Sequence, residues 1–156
     1  ALEAARAAQK PPQAQEGAPP RTLLYVEDNP ANLELVEQLV ARRADLRMMS
    51  ATDAEQGIDL ARSFLPEVIL MDINLPGLNG IEAMQILRAD PSTAHIPIIA
   101  LSANAVPRDV EKGLESGFFS YLTKPIKVER FMDALDIALR SARVTPERGA
   151  AKAAAE

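Results

Sequence analysis

Five short β-type runs alternate with five longer stretches of helical period, and this alternation limits the possible folds more than any other feature of the chain. The runs are 22–26, 46–50, 68–71, 98–101 and 120–123, and the helical patterns are 30–43, 53–64, 80–90, 107–116 and 127–142. Parallel strands need a crossover between them, so strict alternation implies a parallel sheet covered by helices on both faces. The fold class expected is therefore α/β. Val68-Ile69-Leu70-Met71 is apolar throughout, as a central strand of such a sheet must be.

Local signals agree. Asn29 can cap the first helix, with Pro30 at the first helical position, where a missing N–H costs nothing. Leu33, Val36, Leu39 and Val40 then form one stripe. Asp53 with Gln56 resembles a capping box. Val128, Phe131, Met132, Leu135, Ala138 and Leu139 keep helical spacing in the last helix. Residues 1–21, rich in Pro, Gln, Ala and Gly, read as a disordered linker, and the opening Ala as a sign of a longer parent. Residues 143–156 have no apolar period and read as a disordered tail, which leaves one domain over 22–142.

Composition narrows the function classes. A net charge of −5 with interspersed signs gives no support for a nucleic-acid surface. The absence of cysteine excludes disulfides, thiolate metal sites and cysteine catalysis, and fits a reducing cytoplasm. No apolar run approaches the roughly 18 residues that would cross a membrane.

In an open parallel sheet, ligands bind outside the carboxyl ends of the strands. The residues just beyond each strand therefore belong together: Glu27 and Asp28 after the first, Asp72 after the third, Ser102 after the fourth and Lys124 after the fifth. Three carboxylates in one crevice repel each other unless a cation neutralises them. Oxygen ligands alone suit a hard ion, and Mg2+ is the ion expected. With a metal to offset phosphoryl charge, an Asp can serve as nucleophile, and Asp72 is the candidate; Ser102 offers a hydroxyl and Lys124 a point charge. Taken singly, each residue has a plainer account as a strand end, turn or surface charge. Their joint placement on one edge outweighs those accounts.

The chain resembles the receiver domain of two-component response regulators over about residues 21–142. The resemblance rests on Glu27-Asp28, Met71-Asp72-Ile73-Asn74-Leu75-Pro76-Gly77, Leu101-Ser102-Ala103-Asn104-Ala105, Tyr121 and Lys124-Pro125. It implies a flavodoxin-like, doubly wound five-stranded sheet in the order 2-1-3-4-5. It further implies phosphorylation of Asp72 by a phosphohistidine donor, with Mg2+ held by Asp28, Asp72 and the Asn74 carbonyl and by Glu27 through water. Ser102 and Tyr121 would form the switch, and the bond before Pro125 would be cis. Asn74 and Asn104 would tune dephosphorylation. Glu27 stands where the family often has Asp.

The implied partner is a histidine kinase or histidine phosphotransfer domain. Direct contact with nucleic acid or membrane is not expected, and homodimerisation is left open. The domain would be cytoplasmic, or tethered to a membrane-bound sensor as the C-terminal receiver of a hybrid histidine kinase; a free-standing regulator and a docking-only receiver are the alternatives. It would promote its own phosphorylation and dephosphorylation without being a turnover enzyme. A nucleotide or flavin carrier of the same fold is disfavoured, because Glu27 and Asp28 would repel a phosphate. A phosphatase would need a second acid or base beside Asp72, which Ile73 and Asn74 do not supply. Asn32, Leu33 and Val36, with Pro125 and Ile126, could receive a helical donor, although Leu33 and Val36 fit the core equally well. His95 reads as a loop residue.

Overall fold

The structure is a computed structural model; it describes residues 19–103 and 106–155. Most of the expected leader, residues 1–18, lies outside the described residues, as do Asn104 and Ala105. The strands are β1 Arg21–Val26, β2 Leu46–Ala51, β3 Val68–Asp72, β4 Ile98–Ser102 and β5 Ser120–Thr123. The helices that follow them are α1 Pro30–Ala41, α2 Ala54–Phe64, α3 Gly80–Ala89, α4 Pro107–Ser116 and α5 Val128–Ala155. All four strand pairings are parallel, in the order β2-β1-β3-β4-β5.

Alternation along the strands divides the core in two, because successive side chains face opposite sides of a sheet. Leu24 and Val26 of β1, with Ile69 and Met71 of β3, face α2 and α3. Leu23 and Tyr25, with Val68 and Leu70, face α1 and α5, where Val36, Leu39, Phe131 and Leu135 meet them. β3 is buried at every position, as its composition requires.

The helix starts follow the local chemistry. Asn29 accepts a hydrogen bond from the Ala31 N–H ahead of Pro30. Asp53 accepts one from the Gln56 N–H, but the Gln56 side chain bonds the Thr52 N–H, so the expected box is shifted by one residue at its return arm. A complete capping box stands instead at α3, where Asn79 and Glu82 satisfy each other's backbone N–H groups.

The element bounds at the two ends differ from the sequence pattern. Arg21 is not linker: it opens β1 opposite Leu46, and its guanidinium pairs with Glu67 at 2.9 Å. The last helix does not stop at Ala142 but continues to Ala155. Thr145, Pro146 and Gly149 lie within that stretch and disfavour helix, so propensity does not account for the continuation.

Candidate functional site

Four strand ends bring the site together. β1 leads into Glu27, whose N–H donates to the Ala51 carbonyl at 2.9 Å and so keeps the chain in register just beyond the strand. β3 ends in Asp72, and the next N–H, that of Ile73, donates to the Leu101 carbonyl of β4. At the end of β5, the Lys124 N–H donates to the Ser102 carbonyl at 2.8 Å. The Lys124–Pro125 peptide bond is cis.

The Lys124 ammonium lies between two carboxylates, 2.9 Å from Glu27 Oε1 and 3.2 Å from Asp72 Oδ2. Glu27, Asp72 and Ser102 are almost wholly buried, at 0%, 2% and 2% exposure, whereas Asp28 is exposed. Glu27, Asp28 and Asp72 can each offer one oxygen within 4.8 Å of the others. The Asn74 N–H donates to Asp72 Oδ1 at 3.0 Å. Asn74 also lines, with Asp28, Leu75, Pro76 and Ile81, an open cleft of about 650 Å³.

Electrostatics follow from this crowding. Burial, reinforced by Glu27, pushes the Asp72 carboxyl up to about 6. Burial also pushes Glu27 upward, but hydrogen bonds to Asp72, Lys124 and Tyr25 outweigh it and leave Glu27 below the usual range. Burial opposes the Lys124 charge, yet its two carboxylate neighbours raise its pKa. One ammonium faces three carboxylates, so the donor set fits a divalent cation: it is all oxygen, anionic and open on the Asp28 side.

Tyr121 sits three residues before Lys124 and is half-buried, its ring packed toward the α2–α3 side of the core. A Cβ at Gly113 of α4 would lie 3.0 Å from that ring, so glycine makes room for it there. The proposed docking surface is only partly present. Val36 is fully buried core, and Leu33 and Ile126 are half-buried against the same cluster; Leu35 is an exposed large apolar residue of α1. Asn32 donates to Glu27 Oε1 at 3.3 Å and so belongs to the site. His95 is exposed in the α3–β4 connection.

The sequence reading missed Tyr25, whose hydroxyl donates to Glu27 Oε1 at 2.8 Å from a fully buried ring. The signal was available: residues two apart share a strand face, and a buried tyrosine needs a partner for its hydroxyl. Gly80, which begins α3, closes on the loop after Asp72. A Cβ there would fall 2.3 Å from the Asp72 carbonyl oxygen and 2.8 Å from the Ile73 Cα, both backbone atoms that cannot swing aside. Gly80→Ala is expected to lower stability by about 2 kcal/mol, as overpacking against backbone does, and denaturant unfolding measures it. A loss under about 0.5 kcal/mol would show that the α3 start relaxes freely away from Asp72.

This fold and this edge define a class: doubly wound α/β domains with an acid–lysine site at the carboxyl ends of the strands. The sequence pattern of the response regulator receiver domain matches residues 23–136, and the chain belongs to that family. The polar-differentiation response regulator DivK of Brucella anthropi is 35% identical over 116 residues, covering 74% of this chain and 94% of that protein. The receiver domain of sensor histidine kinase PA1611 from Pseudomonas aeruginosa PAO1, solved with a magnesium ion coordinated in its active-site cleft, superposes with a TM-score of 0.68. It is 34% identical, over 79% of this chain and 98% of its own. The Francisella response regulator 1452 receiver domain gives a TM-score of 0.71 at 25% identity, over 77% and 97% of the two chains. Among the described residues no helix is long and apolar enough to cross a membrane.

Proposed function

We propose that this receiver accepts a phosphoryl group on Asp72 from a phosphohistidine of a histidine kinase or histidine phosphotransfer domain, and that Mg2+ bound by Asp28, Asp72, the Asn74 carbonyl and, through water, Glu27 is required. The observation that carries the proposal is the Lys124 ammonium bridging Glu27 and Asp72 at the strand ends, beside an open acidic cleft. In the transfer, an Asp72 oxygen forms a bond to phosphorus as the phosphorus–nitrogen bond of the donor breaks, and the departing imidazole keeps the electron pair and takes a proton from solvent. Bound Mg2+ would offset charge on the phosphoryl oxygens. Asn74 N–H orients Asp72 through Oδ1, and Lys124 stands ready for a phosphoryl oxygen once Asp72 carries one. Ser102, buried one strand away, supplies the hydroxyl, and its engagement with the phosphoryl group together with Tyr121 movement changes the α4–β5–α5 surface.

The similarity to DivK, a response regulator, and to the receiver of a sensor histidine kinase supports this reading. The test is intact mass after incubation with acetyl phosphate and Mg2+, beside Asp72→Asn and a chelator. One added phosphoryl group, absent from both controls, is the expected result. No addition, with a competent receiver modified in parallel, would direct attention to a phosphohistidine donor. If that donor also fails, the domain is a docking module.

A further inference from the structure

We propose that Tyr25 is a positioning residue for the acidic site, its buried hydroxyl fixing Glu27 so that the carboxylate set is preorganised for a divalent cation. This rests on the reading of that site as a Mg2+ site. Glu27 Oε1 accepts from three side chains: the Tyr25 hydroxyl at 2.8 Å, the Lys124 ammonium at 2.9 Å and the Asn32 amide at 3.3 Å. Among the described residues Oε2 accepts from the Asn29 N–H at 3.3 Å, and the Glu27 carboxylate also shares a hydrogen bond with Asp72.

The three donors differ in how firmly they are held. Lys124 is a flexible side chain with 20% exposure, and Asn32 is half-buried on α1. Tyr25 is fully buried between β1, α1 and α5, so its hydroxyl has a fixed place in the core. A glutamate has one more rotatable bond than the aspartate often found at this position, and that extra freedom must be removed before the carboxylate can serve a cation. Tyr25, two residues back on the same strand face, removes it by holding Oε1. Hydrogen bonds behind a direct metal ligand commonly account for 10- to 100-fold in metal affinity, and Glu27, which meets the cation through water, places Tyr25 at the lower end of that range.

The experiment is a Mg2+ titration followed by amide shifts in nuclear magnetic resonance, on the parent chain, Tyr25→Phe, Glu27→Asp and the double variant. Phenylalanine keeps the ring and removes only the hydroxyl, so the core remains filled. Tyr25→Phe is expected to weaken Mg2+ binding about tenfold. In the Glu27→Asp background, where the shorter carboxylate falls away from the ring, the same change is expected to have little effect. Unchanged or tighter binding in Tyr25→Phe, with melting temperature lowered equally with and without Mg2+, would make the hydroxyl a purely structural partner and overturn the proposal. Equal weakening in both backgrounds would also overturn it. A parent chain that binds no Mg2+ would instead remove the site reading on which the proposal stands.

Discussion

Lys124→Ala is expected to slow phosphoryl uptake from acetyl phosphate by about a hundredfold or more, and at the same time to tighten Mg2+ binding by about tenfold. The two effects have opposite signs because the ammonium plays two parts. In the resting site it lies 2.9 Å from Glu27 and 3.2 Å from Asp72, where it partly neutralises the carboxylates that would hold a cation. Two unit charges 4 Å apart interact by about 4 kcal/mol at an effective dielectric constant of 20, and solvent at the 20% exposed lysine reduces that to an effect of about 1 to 2 kcal/mol on cation affinity. Removing the lysine leaves a more negative crevice, which attracts Mg2+ more strongly. In the proposed transfer the same ammonium would be the positive group 3.2 Å from Asp72 Oδ2, held there by its two carboxylate partners, and loss of such a charge commonly costs 10²- to 10³-fold in rate. Without metal, Asp72 will also hold its proton to higher pH, because Lys124 is the group that lowers its pKa by charge. Mg2+ titration and the rate of mass gain, measured on one preparation, separate the two roles. A parallel fall in both would mean that Lys124 holds the fold of this edge and has no separate part in charge stabilisation.

The architecture was legible because it depends on periodicity, which a sequence displays directly. The fully apolar Val68-Ile69-Leu70-Met71 announced a strand buried on both faces, and β3 is buried throughout. The site was legible for a related reason: with strand ends placed on one edge, Glu27, Asp28, Asp72 and Lys124 had to meet, and they do. What escaped depends on the depth and direction of single side chains. Val36 and Leu35 are neighbours on α1, one fully buried and one 39% exposed, and only the rotation of the helix against β1 decides which can meet a partner. The close approach of Gly80 to the Asp72 carbonyl has no periodic trace, since a glycine in a loop-rich stretch has many ordinary explanations. The backbone of α5 runs on to Ala155, past the apolar stripe and through Pro146 and Gly149, which neither periodicity nor propensity anticipates. Tyr25 sits between these cases: its face was readable from the alternation, but the reach of its hydroxyl to Glu27 was not.

In metal-free buffer, Asp72→Asn is expected to be more stable than the parent chain at pH 7.5 by about 2 kcal/mol, with the difference vanishing near pH 4. Asp72 titrates at about 6 in the folded chain against 3.8 for the free side chain, raised first by burial and then by Glu27. Between those two values the folded chain holds a proton that the unfolded chain has already released, so stability falls as pH rises through the window from about 4 to about 6 and stays low above it. A gap of about two pH units corresponds to about 3 kcal/mol, and the lowered pKa of Glu27, which contributes stability at neutral pH, offsets part of it. Asparagine fills the same space, can accept from the Asn74 N–H, and carries no charge to set against Glu27. For a domain of this size the difference is a rise in melting temperature of about 5 °C. Saturating Mg2+ should reverse the order, because the parent chain gains about 2.7 kcal/mol at a hundredfold excess over the dissociation constant, while the variant has lost a ligand and gains much less. Thermal melts of both proteins at pH 4, 5.5 and 7.5, with and without Mg2+, measure all of this at once. A stability difference independent of pH would mean that Asp72 is ionised without strain in the free site, and the crevice would then have no electrostatic need for a cation.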